Sequence, residues 1–161
     1  MNLFVLDYDP AVAAHMLCDK HVVKMLLETA QLLSTAHHML DGAPVVAPVY
    51  KPTHKNHPCA RWVQEASANY SWAYDHLLAL AAEYTQRYHK THATEQKGVI
   101  AALKQFPMAL PVSARTDFVQ CMPDEYKRGN PVDAYRAYYV GDKAYMATWK
   151  SPASVPVWFN A

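Results

Sequence analysis

The chain is poor in glycine and cysteine, and it carries almost no net charge. Only 4 of its 161 residues are glycine, which is too few for a β-protein built on tight turns. Its cysteines, Cys18, Cys59 and Cys121, lie far apart without a C-x-x-C pair. A disulfide framework is therefore not expected, and a reducing, cytoplasmic setting is predicted. The net charge of +1 means that any surface for nucleic acid must be a local basic patch.

Long apolar runs and leader sequences are also missing. Charged residues interrupt each apolar stretch before it reaches the ~18 residues typical of a membrane span. The start of the chain, MNLFVLDYDP, has no basic region followed by a long apolar run, so neither a signal peptide nor a membrane partner is expected. Glycine-rich phosphate loops of the G-x-G-x-x-G and G-x4-G-K-[ST] types are absent.

Hydrophobic residues make up 52% of the chain and charged residues 18%, a composition that favours a folded core over disorder. We predict a mainly α, single compact helical domain over residues 1–161. Residues 2–6 are predicted as a short strand or extended segment, and Asp9 followed by Pro10 is typical of a helix start. The predicted helices cover 10–19, 20–40 (continuous with the first or after a break), 59–89, 95–105 and 131–150. Val157, Trp158 and Phe159 are expected to insert into the core.

A narrow polar stripe follows the helical period along the predicted helix 20–40. It consists of Lys20, Lys24, Glu28, Gln31, Thr35 and His38, with His21 at its edge. Because apolar residues cover the rest of the helix, the stripe is expected to line a cleft or to lie under a thin cover. Lys24 and Glu28 can pair, and Lys20 with Lys24 can bind an anion. A solvated stripe with simple ion pairs is the alternative.

The predicted helix from Cys59 has a second polar sector. Its members are Arg61, Glu65, Asn69, Trp72, His76, Glu83 and Arg87. Two such helices facing each other would enclose a polar cavity, whereas a solvent face is the alternative for Glu83 and Arg87. We favour a functional role for the members nearest to loop 43–58, which contains four prolines and is a candidate functional loop.

His54, His57 and Cys59 form an H-x2-H-x-C pattern of zinc-ligand residue types. No second half-site has a matching spacing, so a site without metal or cofactor is predicted, with the histidines near phosphates or bases. Towards the C-terminus, Arg136 lies among several tyrosines, a combination that can stack on bases and hold phosphates. An aromatic core helix with a cationic outer face is the alternative there.

Three segments together resemble the pyrimidine-dimer DNA glycosylase/AP lyase family, the phage endonuclease V type. The first is NLFVL followed by HMLCDKH (15–21). The second is HPCARW (57–62) with HLLALAAEYTQRYHKTHAT (76–94), and the third is YRAYYVGDKAYMATWK (135–150). The resemblance implies a helical enzyme that turns a base out of damaged duplex DNA and attacks the sugar carbon with an N-terminal amine, assisted by a glutamate. A Schiff base and strand cleavage by elimination then follow.

The resemblance also indicates where this chain departs from the family. The family's amine belongs to a threonine exposed by removal of methionine, whereas residue 2 here is Asn2, which does not favour that removal. The amine is therefore expected on Met1, or on the side chain of Lys24. A gap-free match places the family's glutamate at Val22, so we expect Glu28 on the polar stripe to replace it.

The predicted site thus has Met1, Lys24 and Glu28 as catalytic groups. The residues expected to bind substrate or phosphate are Asn2, His15, Lys20, His21, His54, His57, Arg61, Glu65, Asn69 and Arg136. The expected partner is DNA or a nucleotide, and the oligomeric state is left open. Two alternatives remain: an enzyme on the same scaffold that acts on a nucleotide or small anionic metabolite, which the near-neutral charge favours, and a non-catalytic accessory protein.

Overall fold

The computed structural model describes residues 1–41 and 48–160. This part of the chain is helical and contains no strand, which confirms the predicted fold class. Residues 2–6 form no strand, and the predicted extended segment is interrupted at Phe4, which has φ at 48° and accepts from the Leu6 amide at 2.8 Å. The described residues form seven α-helices: α1 (Pro10–Met16), α2 (Asp19–Leu40), α3 (Pro58–Glu65), α4 (Ser67–Tyr88), α5 (Ala93–Gln96), α6 (Val99–Ala102) and α7 (Pro131–Tyr138).

Local sequence explains the first two helices. The Asp9 carboxylate accepts hydrogen bonds from two first-turn amides of α1, and Pro10 occupies the first helical position. The backbone is extended at Leu17, so the chain breaks before α2 begins at Asp19. The end of α2 at Leu40, with Asp41 as its C-cap, agrees with the prediction. Gly42 and residues 43–47 of the predicted loop 43–58 lie outside the described residues.

The prediction of one helix over 59–89 was wrong, because the backbone is extended at Ala66 (φ −152°, ψ 144°) and separates α3 from α4. The amide of Ser67 donates to the carbonyl of Pro111 at 2.7 Å, and the amide of Ala68 donates to Ser113 at 3.3 Å. These acceptors compensate for the intrahelical bonds that the break removes. The second polar sector therefore lies on two helices and is not one continuous face.

The later helices are shorter than predicted. Gly98, with φ at 74°, separates α5 from α6 within the predicted helix 95–105. The predicted helix 131–150 ends as an α-helix at Tyr138 and continues as a π-helical turn over Tyr139–Lys143. Val157 is 91% exposed, so its predicted insertion was wrong. Trp158 and Phe159 do pack against the core, where they are half-buried.

The N-terminal segment runs through the core and positions the first residue. Leu3, Val5 and Leu6 are at most 1% exposed, and Met1 packs against the same cluster. Helix α2 packs against α3 and α4, and α1 packs against α4. Burial of four consecutive apolar residues, Leu3 to Leu6, fixes the path of the chain without strand pairing. None of the helices in the described ranges has the length and hydropathy for a bilayer crossing.

Candidate active site

The amine of Met1 lies beside the carboxylate of Glu28, near the middle of α2. The amine nitrogen is 3.5 Å from Oε2 of Glu28. The Met1 side chain is 2% exposed and the Glu28 side chain 13%, so both are held by packing. Within the described part of the chain, Oε2 is buried and has no hydrogen-bond partner. A buried carboxylate oxygen without a hydrogen bond is costly, and this one faces an amine.

Lys24 approaches the other oxygen of the same carboxylate. Its Nζ lies 3.7 Å from Oε1 of Glu28, one helical turn earlier on α2. The Lys24 side chain is 65% exposed, in contrast to the buried Met1. Glu28 therefore lies between two amines, that of a residue with a buried side chain and that of a solvent-exposed lysine. Val22, where a gap-free family match would place the glutamate, is fully buried in the hydrophobic core and faces neither amine.

Asn2 anchors the N-terminus through hydrogen bonds made by its buried side chain. Its Oδ1 accepts from the amide of Leu3 at 2.8 Å and from the hydroxyl of Tyr135 at 2.9 Å. Its Nδ2 donates to the carbonyl of Cys121 at 2.7 Å. The residue is 7% exposed, so it positions Met1 and does not present its amide to solvent.

His57, at the N-terminus of α3, borders the site. Its Nδ1 accepts the amide of Cys59 at 3.2 Å and so caps the helix. Partial burial lowers the pKa of His57, and the positive charges of the Met1 amine and His54 lower it further, against an opposing effect of Glu28. The charges of the amine and the carboxylate thus act on the His57 imidazole.

Two thiols meet next to His57. Sγ of Cys59 and Sγ of Cys121 are 3.4 Å apart. The hydrogen bond between them raises the pKa of Cys59, which is deeply buried, and lowers the pKa of the less buried Cys121 to about 7. A thiolate is thus favoured on Cys121. The ligand atoms of the two cysteines and His57 all lie within 4.8 Å of one another.

Loop residues 48–57 and helix α3, which flank His57 along the chain, carry exposed cations. The amide of Thr53 donates to Thr35 Oγ1 at 3.1 Å, so the loop covers the C-terminal half of the polar stripe. Arg61 is exposed and donates to Asn56 at 3.1 Å. His54 is exposed and bonded to the Thr53 hydroxyl. Lys20 is exposed on α2.

The remaining predicted site residues lie elsewhere. Nδ1 of His15 is 2.8 Å from Oε1 of Glu83, beside the buried Arg87. His21 is buried against Phe4 and the Tyr139 hydroxyl, and burial with the charges of Lys143 and Lys24 lowers its pKa to about 4. Their neighbours show that these two side chains join structural networks and do not line the Met1–Glu28 site.

Three further predicted residues also make structural contacts. Asn69 is buried and bonded to Thr116 and the Trp62 carbonyl. Glu65 is exposed and accepts from the Thr116 hydroxyl at 3.3 Å. Arg136 donates to the Leu6 carbonyl at 2.9 Å and pairs with Asp7 at 3.3 Å. Asn69 and Glu65 hold the segment that leads to Cys121, and Arg136 holds the N-terminal segment.

The comparison with protein-family models identifies the class of protein. The model of the family described as pyrimidine dimer DNA glycosylase matches residues 1–96, more than half of the chain. The chain belongs to this family. The matched region includes Met1, Lys24, Glu28, His57 and Cys59. A search of curated proteins and a search of solved structures returned no match.

Proposed function

We propose that this protein is a DNA glycosylase/AP lyase that uses the Met1 amine as its nucleophile and the Glu28 carboxylate as its acid/base. The observation that carries the proposal is the 3.5 Å approach of the amine to a buried carboxylate oxygen. Membership of the pyrimidine dimer DNA glycosylase family supports DNA as the substrate.

The chemistry requires a deprotonated amine next to a group that accepts and returns protons. The nitrogen attacks C1′ of the sugar, and its proton passes to Glu28. The bond between C1′ and the base breaks, and the base leaves with the bonding electrons and takes up the proton from Glu28. Glu28 then accepts the second proton of the amine nitrogen. Glu28 returns a proton to the ring oxygen as the sugar opens, which leaves an imine between the amine nitrogen and C1′. Loss of a proton from C2′ then expels the 3′-phosphate.

Lys24 is the competing amine at the same carboxylate. The 65% exposure of its side chain favours a different role for it, as a contact to a backbone phosphate. Lys20, Lys55 and Arg61 are likewise exposed, on α2, on the covering loop and on α3. A chain of net charge +1 needs a local positive surface for binding to DNA, and we assign these exposed cations to that surface.

Borohydride reduction in the presence of abasic-site duplex DNA tests the proposal, because it converts the imine into a stable covalent bond. We expect a cross-linked protein, with the modified peptide carrying the DNA remnant on the amine of Met1. The same mass spectrum reports the identity of the terminal residue. Glu28→Gln is expected to lower the trapping rate by at least ~100-fold, the range typical of a removed acid/base.

Three further variants separate the two amines. An added Gly-Ser before Met1 moves the terminal amine and is expected to abolish trapping. Lys24→Arg retains the charge and is expected to keep trapping at Met1, with weaker DNA binding at most. Lys104→Arg, at an exposed lysine outside the site, is the matched control. An adduct on Lys24 would contradict the assignment of the nucleophile, and no adduct or cleavage with abasic or irradiated DNA would overturn the function.

A further inference from the structure

A cluster of metal-ligand side chains lies beside the proposed nucleophile. One ring nitrogen of His57, Sγ of Cys59 and Sγ of Cys121 all lie within 4.8 Å of one another. The two sulfurs are 3.4 Å apart. In a tetrahedral zinc site with Zn–S bonds of about 2.3 Å, the sulfurs are about 3.7 Å apart. Small side-chain rotations therefore suffice to place one ion between the three donors.

We propose that His57, Cys59 and Cys121 form a binding site for Zn²⁺. The sequence pattern H-x2-H-x-C provides only a half-site, and on its own it therefore predicts a site without metal. The fold supplies the missing donor from Cys121, 62 residues beyond Cys59. The proposed ligand set therefore contains Cys121 in place of His54, which is exposed and bonded to Thr53.

The charge balance of the cluster suits a divalent cation. Two thiolates offset the charge of Zn²⁺, so the occupied site is neutral and costs little to bury.

Three protein ligands leave a fourth coordination position for water or another small donor. The neighbouring segments keep the ligands in place: the Asn2 amide holds the Cys121 carbonyl at 2.7 Å, and α3 holds His57 and Cys59. The ion is therefore expected to join the N-terminal segment, α3 and the segment around Cys121. This proposal does not depend on the amine chemistry, and its test involves no DNA.

Titration of the reduced, metal-free protein with Co²⁺ tests the site, because Co²⁺ reports tetrahedral thiolate ligation by its absorption. We expect a thiolate-to-cobalt charge-transfer band and visible bands of tetrahedral Co²⁺ that saturate at one equivalent and disappear when Zn²⁺ is added. Cys121→Ser and Cys59→Ser are expected to weaken Co²⁺ binding by at least ~10-fold and to reduce the charge-transfer band. His57→Gln is expected to change the visible bands.

Two controls are built into the chain. Cys18→Ala removes the third cysteine, which is buried away from the cluster, and His54→Gln removes the other histidine of the sequence motif. Both are expected to retain the Co²⁺ spectrum.

A second measurement uses the unmodified protein, in case the Cys59 variant does not fold. We expect Zn²⁺ to protect Cys121, the less buried of the two ligand thiols, from a thiol reagent and to raise the Tm relative to protein in EDTA. Absence of a charge-transfer band together with equal thiol reactivity with and without Zn²⁺ would overturn the proposal. So would a Cys18→Ala variant that loses the spectrum as Cys121→Ser does.

Discussion

Asn2 combines two roles at the residue scale, since its side chain satisfies several buried polar groups and thereby fixes the residue that precedes it. Its Oδ1 accepts from Leu3 and Tyr135, and its Nδ2 donates to Cys121. A threonine, as the family resemblance leads one to expect at this position, lacks the amide donor that reaches Cys121. The asparagine is thus consistent with a chain in which residue 2 anchors the amine of Met1 and does not itself supply the amine.

Replacing Asn2 by alanine tests this anchoring role. The change leaves the Tyr135 hydroxyl without one acceptor and the buried Leu3 amide and Cys121 carbonyl without partners. We expect the free energy of unfolding to fall by about 2–4 kcal/mol, since each unsatisfied buried group costs about 1–3 kcal/mol. Urea denaturation measures this loss, and Gln105→Ala, at an exposed position, serves as the control. A loss below ~0.5 kcal/mol would show that the network contributes little.

Whether a contact between two residues can be predicted from the sequence depends on how far apart they lie along the chain. Lys24 and Glu28 are four residues apart, so helical periodicity predicts their proximity. The family resemblance directed attention to the N-terminal amine. The contacts of Asn2 with Cys121 and Tyr135 span 119 and 133 residues, and such contacts leave no periodic signal. The sequence therefore shows Cys121 only as an isolated cysteine.

At the scale of helices, Arg87 joins α4 to the junction between α1 and α2. Its fully buried guanidinium pairs with Glu83 at 2.8 Å and with Asp19 at 3.3 Å. It also donates to the carbonyls of Leu17 and His15, at 2.7 and 2.8 Å. These carbonyls belong to the C-terminal end of α1, where helical acceptors lack intrahelical donors. The arginine thus caps α1 from a neighbouring helix.

Arg87→Leu is expected to destabilise the protein strongly. It leaves two carboxylates buried without their cation, for which losses of about 3–5 kcal/mol in unfolding free energy are typical. Arg87→Lys restores the charge without the planar set of donors, so we expect it to recover only part of the loss. Chemical denaturation of both variants, with the exposed Arg128→Leu as control, measures the difference. Equal stability of Arg87→Lys and the wild type would contradict the capping role.

The sequence separation of four predicts the pairing of Glu83 with Arg87 on one helix face, but not its burial. The pair is buried because the C-terminal end of α1 packs against α4 at Arg87. The periodicity of either helix alone does not reveal that contact. The break at Ala66 is unpredictable for the same reason. The extended backbone there is stabilised by carbonyls of Pro111 and Ser113, more than 40 residues away, while the local sequence is compatible with a continuous helix.

At the scale of the whole molecule, histidine burial couples the fold to pH. His76 is fully buried on α4, and its Nδ1 donates to the Pro10 carbonyl at 2.9 Å. His21 is buried on α2 against Tyr139. Burial lowers the pKa of each to about 4, from a usual value of 6.5. Both side chains are therefore neutral in the folded protein at pH values where they are charged in the unfolded chain.

This difference predicts a loss of stability in mild acid. Between the folded and the unfolded pKa, the unfolded chain binds more protons, so the free energy of unfolding falls as the pH drops from about 6.5 to about 4. Each histidine is expected to contribute about 2–3 kcal/mol to this decrease. His76→Gln, which keeps a donor for the Pro10 carbonyl, should reduce the difference in unfolding free energy between about pH 7 and about pH 4.5 by about that amount.

Urea denaturation at the two pH values measures the effect, and His89→Asn is the matched control. His89 is exposed and has φ at 55°, a conformation that asparagine tolerates. That variant should leave the pH dependence of the unfolding free energy unchanged. An unchanged pH dependence in His76→Gln would show that the acid sensitivity arises elsewhere in the molecule.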